Sequence, residues 1–281
     1  MTETNHVKVA VCQMEPLFGN LAVNTRNTVD AIGRAASEGA DILVLPELCS
    51  TGYMFASRQE AFALAEEAGT GPATSAWLNA AQETSTIVVG GFAERAGDLL
   101  YNSAFMALPS GQWALYRKAH LWDEEALYFE PGNLGFPVVA TQLGRIGMLI
   151  CYDGWFPEAY RSLADAGADL VCVPTNWVPL EGHPRDTQAM AVTLTQAAAH
   201  VNGMVVAAAD RCGVERGQGF IGQSVIVSHT GVIAAGPAAR DRPDFLTASV
   251  SLADARRSRT WGKFNHPLRD RRFDSYGRRA S

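Results

Sequence analysis

The apolar residues of this chain follow two alternating rhythms. Short unbroken runs form the first: "VKVAVCQM" is β-branched and apolar, and "DILVLPE" repeats the pattern. Between them, "NLAVNTRNTVDAIGRAASEGA" spaces its apolar positions as a helix does and closes on Gly39, a common helix stop. A longer helical region follows ("EAFALAEEAG", then "GPATSAWLNAAQETS"), and after it the strand "TIVVGGFAER". "LYNSAFMAL" and "QWALYRKAHL" flank a Pro-Ser-Gly turn and predict a pair of strands.

The second half repeats the alternation. "FPVVATQLGRIGMLICYD" predicts a hairpin turning near Gly144, and "FPEAYRSLADAGA" a helix. "DLVCVPTNW" predicts a strand, "PRDTQAMAVTLTQAAAHVNG" a helix ending at Gly203, "MVVAAAD" a strand, and "GQSVIVSHTGVIAAGP" a hairpin turning at Thr230-Gly231. Strands that are apolar on both faces need cover on both, so helices and sheets must stack in layers. No linker rich in Pro, Gly or Ser divides the chain, which predicts one α/β domain over residues 1–281. From Asp254 the rhythm breaks into a stretch with nine Lys or Arg residues against three Asp. Arg interleaved with Phe, Trp and Tyr suits a tail, 254–281, that packs on its own domain or on a neighbouring subunit.

Composition narrows the function. Hydrophobic residues make up 47% of the chain and charged ones 19%, too apolar for a disordered protein. A net charge of −6 gives no reason to expect nucleic acid or an anionic membrane as partner. No apolar run approaches membrane-spanning length, and the N-terminus lacks the basic-then-apolar pattern of a secretion signal. The five cysteines, Cys12, Cys49, Cys151, Cys172 and Cys212, are odd in number and contain no CxxC pair. That predicts reduced thiols and a cytoplasmic protein. Cys12 and Cys172 sit inside strand-like runs, where a cysteine is ordinarily a small core residue.

Three polar residues stand where apolar runs stop: Glu47 after "DILVLP", Lys118 after "WALYR" and Cys151 after "GMLI". Each alone has a bland explanation: a capping glutamate, a surface lysine, a buried thiol. Their shared placement does not, because ligands collect at the carboxyl ends of strands in α/β sheets. Their chemistry is also complementary. A cysteine attacks carbon as thiolate and needs a proton acceptor. A desolvated carboxylate has the raised proton affinity of a general base. A lysine supplies fixed positive charge for the oxyanion that attack creates.

The words "LPELCSTGY", "YRKAHLWDEEALYFEPG" and "GMLICYDGWFPEAYR" closely resemble, in order, the three signature blocks of the nitrilase superfamily, the carbon–nitrogen hydrolases. The resemblance runs from "VAVCQMEPLFGNLAVN" to "HPLRDRR". It implies a four-layer α-β-β-α sandwich and assembly as a homodimer or a larger even-numbered homo-oligomer. It also implies Glu47 as general base, Lys118 as oxyanion stabiliser and Cys151 as nucleophile. The family often carries a second glutamate shortly after the lysine. Glu125, six residues before Pro131-Gly132, fits that place best, with Glu124 as the alternative. His120, two residues after Lys118, lies near enough to touch the site or to make a structural hydrogen bond.

Which carbon–nitrogen bond is cleaved is less firmly written. Nitrilases of the family typically have Trp-Glu after the cysteine, where this chain has Tyr152-Asp153. Carbamoyl hydrolases often place a carboxylate-gripping arginine a few residues on; here Gly154, Trp155 and Phe156 stand there, and the first arginine is Arg161. Tyr53, Tyr152, Trp155 and Trp177 are then candidates for an aromatic substrate pocket, or else core residues, and Asn176 for a hydrogen bond to substrate. The expectation is an amidase converting a small primary amide to carboxylic acid and ammonia through a thioester. Nitrile hydrolysis and N-carbamoyl (ureido) hydrolysis are the alternatives, and an inactive scaffold on the same fold is the non-enzyme one. No GxSxG, HExxH or Walker-type loop is present, nor a dinucleotide fingerprint after the first strand, so no metal and no organic cofactor is expected.

Overall fold

The computed structural model describes residues 6–182, 184 and 187–276. The first half contains β1 (His6–Gln13), α1 (Leu21–Ser37), β2 (Ile42–Val44), α2 (Arg58–Leu64), α3 (Pro72–Thr84), β3 (Ile87–Ala96), β4 (Leu99–Ala107), β5 (Trp113–Arg117) and the short α4 (Glu125–Tyr128). The second contains β6 (Val138–Ala140), β7 (Arg145–Met148), α5 (Pro157–Asp165), β8 (Leu170–Thr175), α6 (Met190–Asn202) and β9 (Val205–Asp210). It closes with β10 (Val214–Glu215), β11 (Gln218–Gly219), β12 (Val225–Val227), β13 (Ile233–Ala235), β14 (Asp244–Ser251) and α7 (Leu252–Arg257).

Two six-stranded sheets result, ordered β14-β1-β2-β3-β4-β5 and β13-β12-β9-β8-β7-β6. Each has three parallel strands at its centre, β1-β2-β3 and β7-β8-β9, with antiparallel strands outside them. Alternation along the strands explains the layering. Val9, Val11, Ile42, Val44 and Val89 pack in one core with Val171, Val173 and Val206 of the other sheet. Their neighbours Ala10, Leu43 and Val88 face the opposite way and pack with Ile32 and Ala35 of α1 and Trp77 of α3. The Trp77 indole N–H donates to Thr28 of α1 at 2.8 Å, so this large buried side chain is satisfied. Residues of α5 and α6, among them Leu163, Val192 and Ala199, pack into the core on the outer side of the second sheet. The order helix, sheet, sheet, helix is the α-β-β-α sandwich.

Four features depart from the sequence expectation. The run "GMLIC" does not stay a strand to its end: β7 stops at Met148, and Cys151 opens a 3₁₀ turn over Cys151–Trp155. The helix expected from Pro184 begins at Met190; residues 183, 185 and 186 of that stretch lie outside the described ones. An edge strand, β14, pairs antiparallel with the whole of β1 and is not foreseen in the pattern. The break placed at Asp254 falls inside α7. Beyond it the tail packs on its own domain through arginines: Arg256 on Asp169 at 2.9 Å and Arg271 on Asp165 at 2.6 Å. Among the described residues no helix is long and apolar enough to cross a membrane. All five cysteines are free and buried.

Candidate active site

Glu47, Lys118 and Cys151 each sit within three residues of a strand's end. After β2 the chain runs through Pro46, whose carbonyl accepts the Gly91 N–H of β3 at 3.0 Å, and the Cys49 N–H returns to the Gly91 carbonyl at 2.9 Å. The Glu47 turn therefore lies flat on β3, which only a glycine permits: a Cβ at Gly91 would stand 2.5 Å from Glu47 Cα. Lys118 is the first residue beyond β5; its N–H donates to the Asn102 carbonyl and its carbonyl accepts from Gly132, both at 2.8 Å. Glu125 opens α4. Leu48 (φ +47°) and Cys151 (φ +43°) both adopt the left-handed backbone region. A non-glycine residue there is strained by about 1–2 kcal/mol, which surrounding contacts must offset.

The side chains converge. Lys118 Nζ donates to Glu47 Oε1 at 2.6 Å and to Glu125 Oε1 at 2.7 Å, with all three residues buried at 0%, 0% and 5% exposure. Asn102 Nδ2 donates to the same Glu47 oxygen at 2.7 Å, and the Tyr53 hydroxyl to Glu125 Oε1 at 2.6 Å. Tyr53 is itself held by Glu215, which accepts the Tyr53 and Met54 N–H groups at 2.7 Å each and pairs with buried Arg211 at 2.6 Å. Glu124, the alternative, is exposed and accepts from the Tyr128 hydroxyl instead. Glu125 is thus the glutamate that meets the lysine.

Electrostatics assigns each group a resting state. Burial drives the Glu47 carboxyl up to about 7, with the nearby Lys118 ammonium opposing and the Glu125 charge adding to the rise. Burial pulls the Lys118 ammonium down, but the Glu125 and Glu47 carboxylates overcome it and hold the lysine charged well above its ordinary range. The Cys151 thiol is pushed far up by burial and by Glu47, and Lys118 offsets this only in part. The lysine therefore does not make a resting thiolate. Cys151 rests as a thiol beside a carboxylate poised near neutrality, which is the state that needs a general base.

A pH dependence follows. A base accepts a proton only when ionised, so kcat/KM should fall tenfold per unit as pH drops through about 7 and level off above it. A pH–rate profile tests this; a flat profile down to about pH 5 would show that another group is the base.

Cys151 borders a tight cleft with about 20 Å³ of free volume, lined by Trp122, Tyr152, Trp155, Asn176, Trp177, Val178 and Leu180. Four of the five expected substrate residues are among these. The fifth, Tyr53, lines an adjoining cleft that also includes Glu125, Trp122 and Val178. Two acceptors in this region lack a partner among the described residues, Glu47 Oε2 and Asn176 Oδ1. Asn176 Nδ2 is already committed to the Glu47 carbonyl at 3.0 Å, so its oxygen is the end left free. The indole N–H of Trp177 is likewise buried and unpaired.

The sequence pattern does not single out Asn102, Tyr116, Trp122 or Asp153 as members of the site. Asn102 had one signal, a polar side chain in the apolar run "LYNSAFMAL". His120 makes the structural bond, to Asp153, with its Nδ1 2.7 Å from Oδ1.

The chain is similar to known proteins along nearly its whole length. The family profile described as carbon-nitrogen hydrolase matches residues 8–260. A nitrilase from Pyrococcus abyssi is 37% identical over 272 residues, covering 97% of this chain and all of the relative. A crystal structure of a carbon-nitrogen hydrolase from Helicobacter pylori superposes with a TM-score of 0.86 at 29% identity, covering 97% of each chain. An amidase from Nesterenkonia sp. superposes with a TM-score of 0.77 at 27% identity, covering 97% of this chain and 95% of that one. In a variant of that amidase, acrylamide has undergone Michael addition at the active-site cysteine.

Proposed function

Since the chain belongs to the carbon–nitrogen hydrolase family, we propose that it is an amidase converting a small primary amide to its carboxylic acid and ammonia. The observation that carries this choice is the pair of unpartnered buried acceptors, Asn176 Oδ1 in the wall of the Cys151 cleft and Glu47 Oε2, whose carboxylate acts on the Cys151 thiol. A primary amide brings two N–H donors to satisfy them; a nitrile brings none, and a buried acceptor left unpaired costs about 1–3 kcal/mol. Among the described residues the lining of the Cys151 cleft contains no arginine to grip a substrate carboxylate, which favours a simple amide over a carboxylate-bearing ureido compound. The narrow aromatic walls suit a short acyl group.

The reaction runs in two halves. Glu47 takes the Cys151 proton as Sγ bonds to the amide carbon, and the oxyanion develops against Lys118 Nζ. Glu47 then delivers that proton to the amide nitrogen, the C–N bond breaks, and ammonia leaves a thioester on Cys151. Water attacks the thioester carbon with Glu47 accepting its proton. Collapse of the second oxyanion releases the acid and returns the proton to sulfur. Glu125 shares Lys118 with Glu47 and keeps the ammonium charged and aimed. The exposed Trp261, Phe264 and Phe273 of the tail support its use at a subunit interface in a homo-oligomer.

A panel of short primary amides, the matching nitriles and N-carbamoyl acids, read by ammonia release, tests the assignment. Amides are expected to give the highest kcat/KM. Faster release from the nitriles would overturn the amide choice within the family.

A further inference from the structure

We propose that Asp153 is a positioning residue that locks the Cys151 turn to the Lys118 segment, setting the distance between nucleophile and oxyanion stabiliser. This rests on the roles proposed above for those two residues. Asp153 is fully buried, two residues past Cys151 and within the same 3₁₀ turn. Its Oδ2 accepts the Ile150 N–H at 3.0 Å, immediately before the nucleophile. The same oxygen accepts the Tyr116 hydroxyl at 2.7 Å. Its Oδ1 accepts the His120 N–H at 3.0 Å and lies 2.7 Å from His120 Nδ1.

Tyr116 and His120 stand two residues before and two after Lys118. One carboxylate thus ties the backbone of the nucleophile's turn to both flanks of the lysine. The clamp reaches further on each side. The Tyr116 hydroxyl also accepts the Ala119 N–H at 3.2 Å, next to the lysine. The His120 ring stacks on Phe156 with centroids 3.8 Å apart and planes 11° from parallel, at the start of α5. None of these groups lines the Cys151 cleft, so substrate does not touch them.

The arrangement answers a mechanical need. Cys151 is held at φ +43°, a conformation its own backbone disfavours. Lys118 lies on the other sheet, beyond the end of β5. Nothing in either sheet's ladder fixes one against the other, and a misplacement of 1 Å between reacting groups costs about 10²-fold in rate. Asp153 supplies that link, with donors from both segments meeting on one buried charge.

The test uses Asp153→Asn and Tyr116→Phe in the full-length protein, against an amide the wild type hydrolyses. An amide side chain cannot accept at its nitrogen, so Asp153→Asn must lose the contacts of one oxygen. Its kcat is expected to fall by ~10²-fold with KM within about threefold. Tyr116→Phe, which leaves the Asp153 charge with its other donors, is expected to lose about tenfold in kcat with the same unchanged KM. Alkylation of Cys151 by iodoacetamide forms no oxyanion and should slow by less than about fivefold in both. A structural role alone would lower the active fraction, and with it turnover and alkylation together. Equal losses in the two assays, or a wild-type kcat in Tyr116→Phe, would overturn the proposal. A wild type inactive on every amide in the panel would instead overturn the activity from which it starts.

Discussion

Cys151→Ala is expected to reduce amide turnover by ~10⁴-fold or more while the protein stays folded. The substitution removes one sulfur atom from a cleft wall at a residue 7% exposed. The stability cost should be about 1 kcal/mol, in the range for losing one small buried group. The chemistry has no substitute, because the other four thiols lie elsewhere in the fold and none is in the lining of the Cys151 cleft. Activity and thermal unfolding of the variant, measured side by side, separate the possibilities. If activity and melting temperature fell together, Cys151 would be a core residue.

The second large effect concerns Glu47 and Lys118 as a unit. Glu47→Gln keeps the shape and the Asn102 contact but cannot accept a proton, and should cost at least ~10²-fold in kcat. It should also erase the acid limb near pH 7, because the group responsible is gone. Lys118→Met should cost a comparable ~10²–10³-fold, as loss of an oxyanion donor does. It carries a structural penalty as well. Two buried carboxylates, Glu47 and Glu125, lose their shared cation, and breaking such a buried pair costs about 3–5 kcal/mol unless they take up protons. The kinetics should therefore be normalised to folded protein. In the double variant the losses should not multiply, since both residues serve one attack by Cys151. Additive losses would mean that the two act in separate steps. Near-normal turnover of Glu47→Gln would reduce it to a structural carboxylate.

The parts of this molecule legible in the sequence are those where burial is uniform. The central strands β1, β2, β3, β8 and β9 are covered on both faces and read as unbroken apolar runs. β14 was not legible because it is an edge strand: "DFLTASVS" mixes polar and apolar residues and is only half-buried along most of its length. The end of β7 was misjudged for a related reason. Leu149, Ile150 and Cys151 are as apolar and buried as the strand before them, and hydropathy does not report the sign of φ. The site was legible in its three polar strand ends, and the resemblance to the family's second signature block implied Glu125. The partners that hold those groups were not, since Asn102 reaches Glu47 across 55 residues and Asp153 reaches His120 across 33. The first pairing exists only once β2, β3 and β4 are aligned in one sheet, the second only once the two sheets are stacked.

A single thiol, Cys151, resting protonated near Glu47, is expected to perform the attack. Iodoacetamide labelling tests it most directly, with residual activity followed in parallel and the modified cysteine identified by peptide mapping. Burial pushes all five thiols up, Cys151 included, and Cys49, Cys172 and Cys212 are fully enclosed. Cys12 also borders a cleft and is the competing site for the reagent; Cys151 is set apart by the Glu47 carboxyl, poised near 7, and the Lys118 ammonium that act on its thiol. Activity should decline in step with carbamidomethylation of Cys151, and a saturating amide substrate should slow both. Activity that persists after Cys151 is fully labelled, or that is lost while only another cysteine is modified, would contradict it.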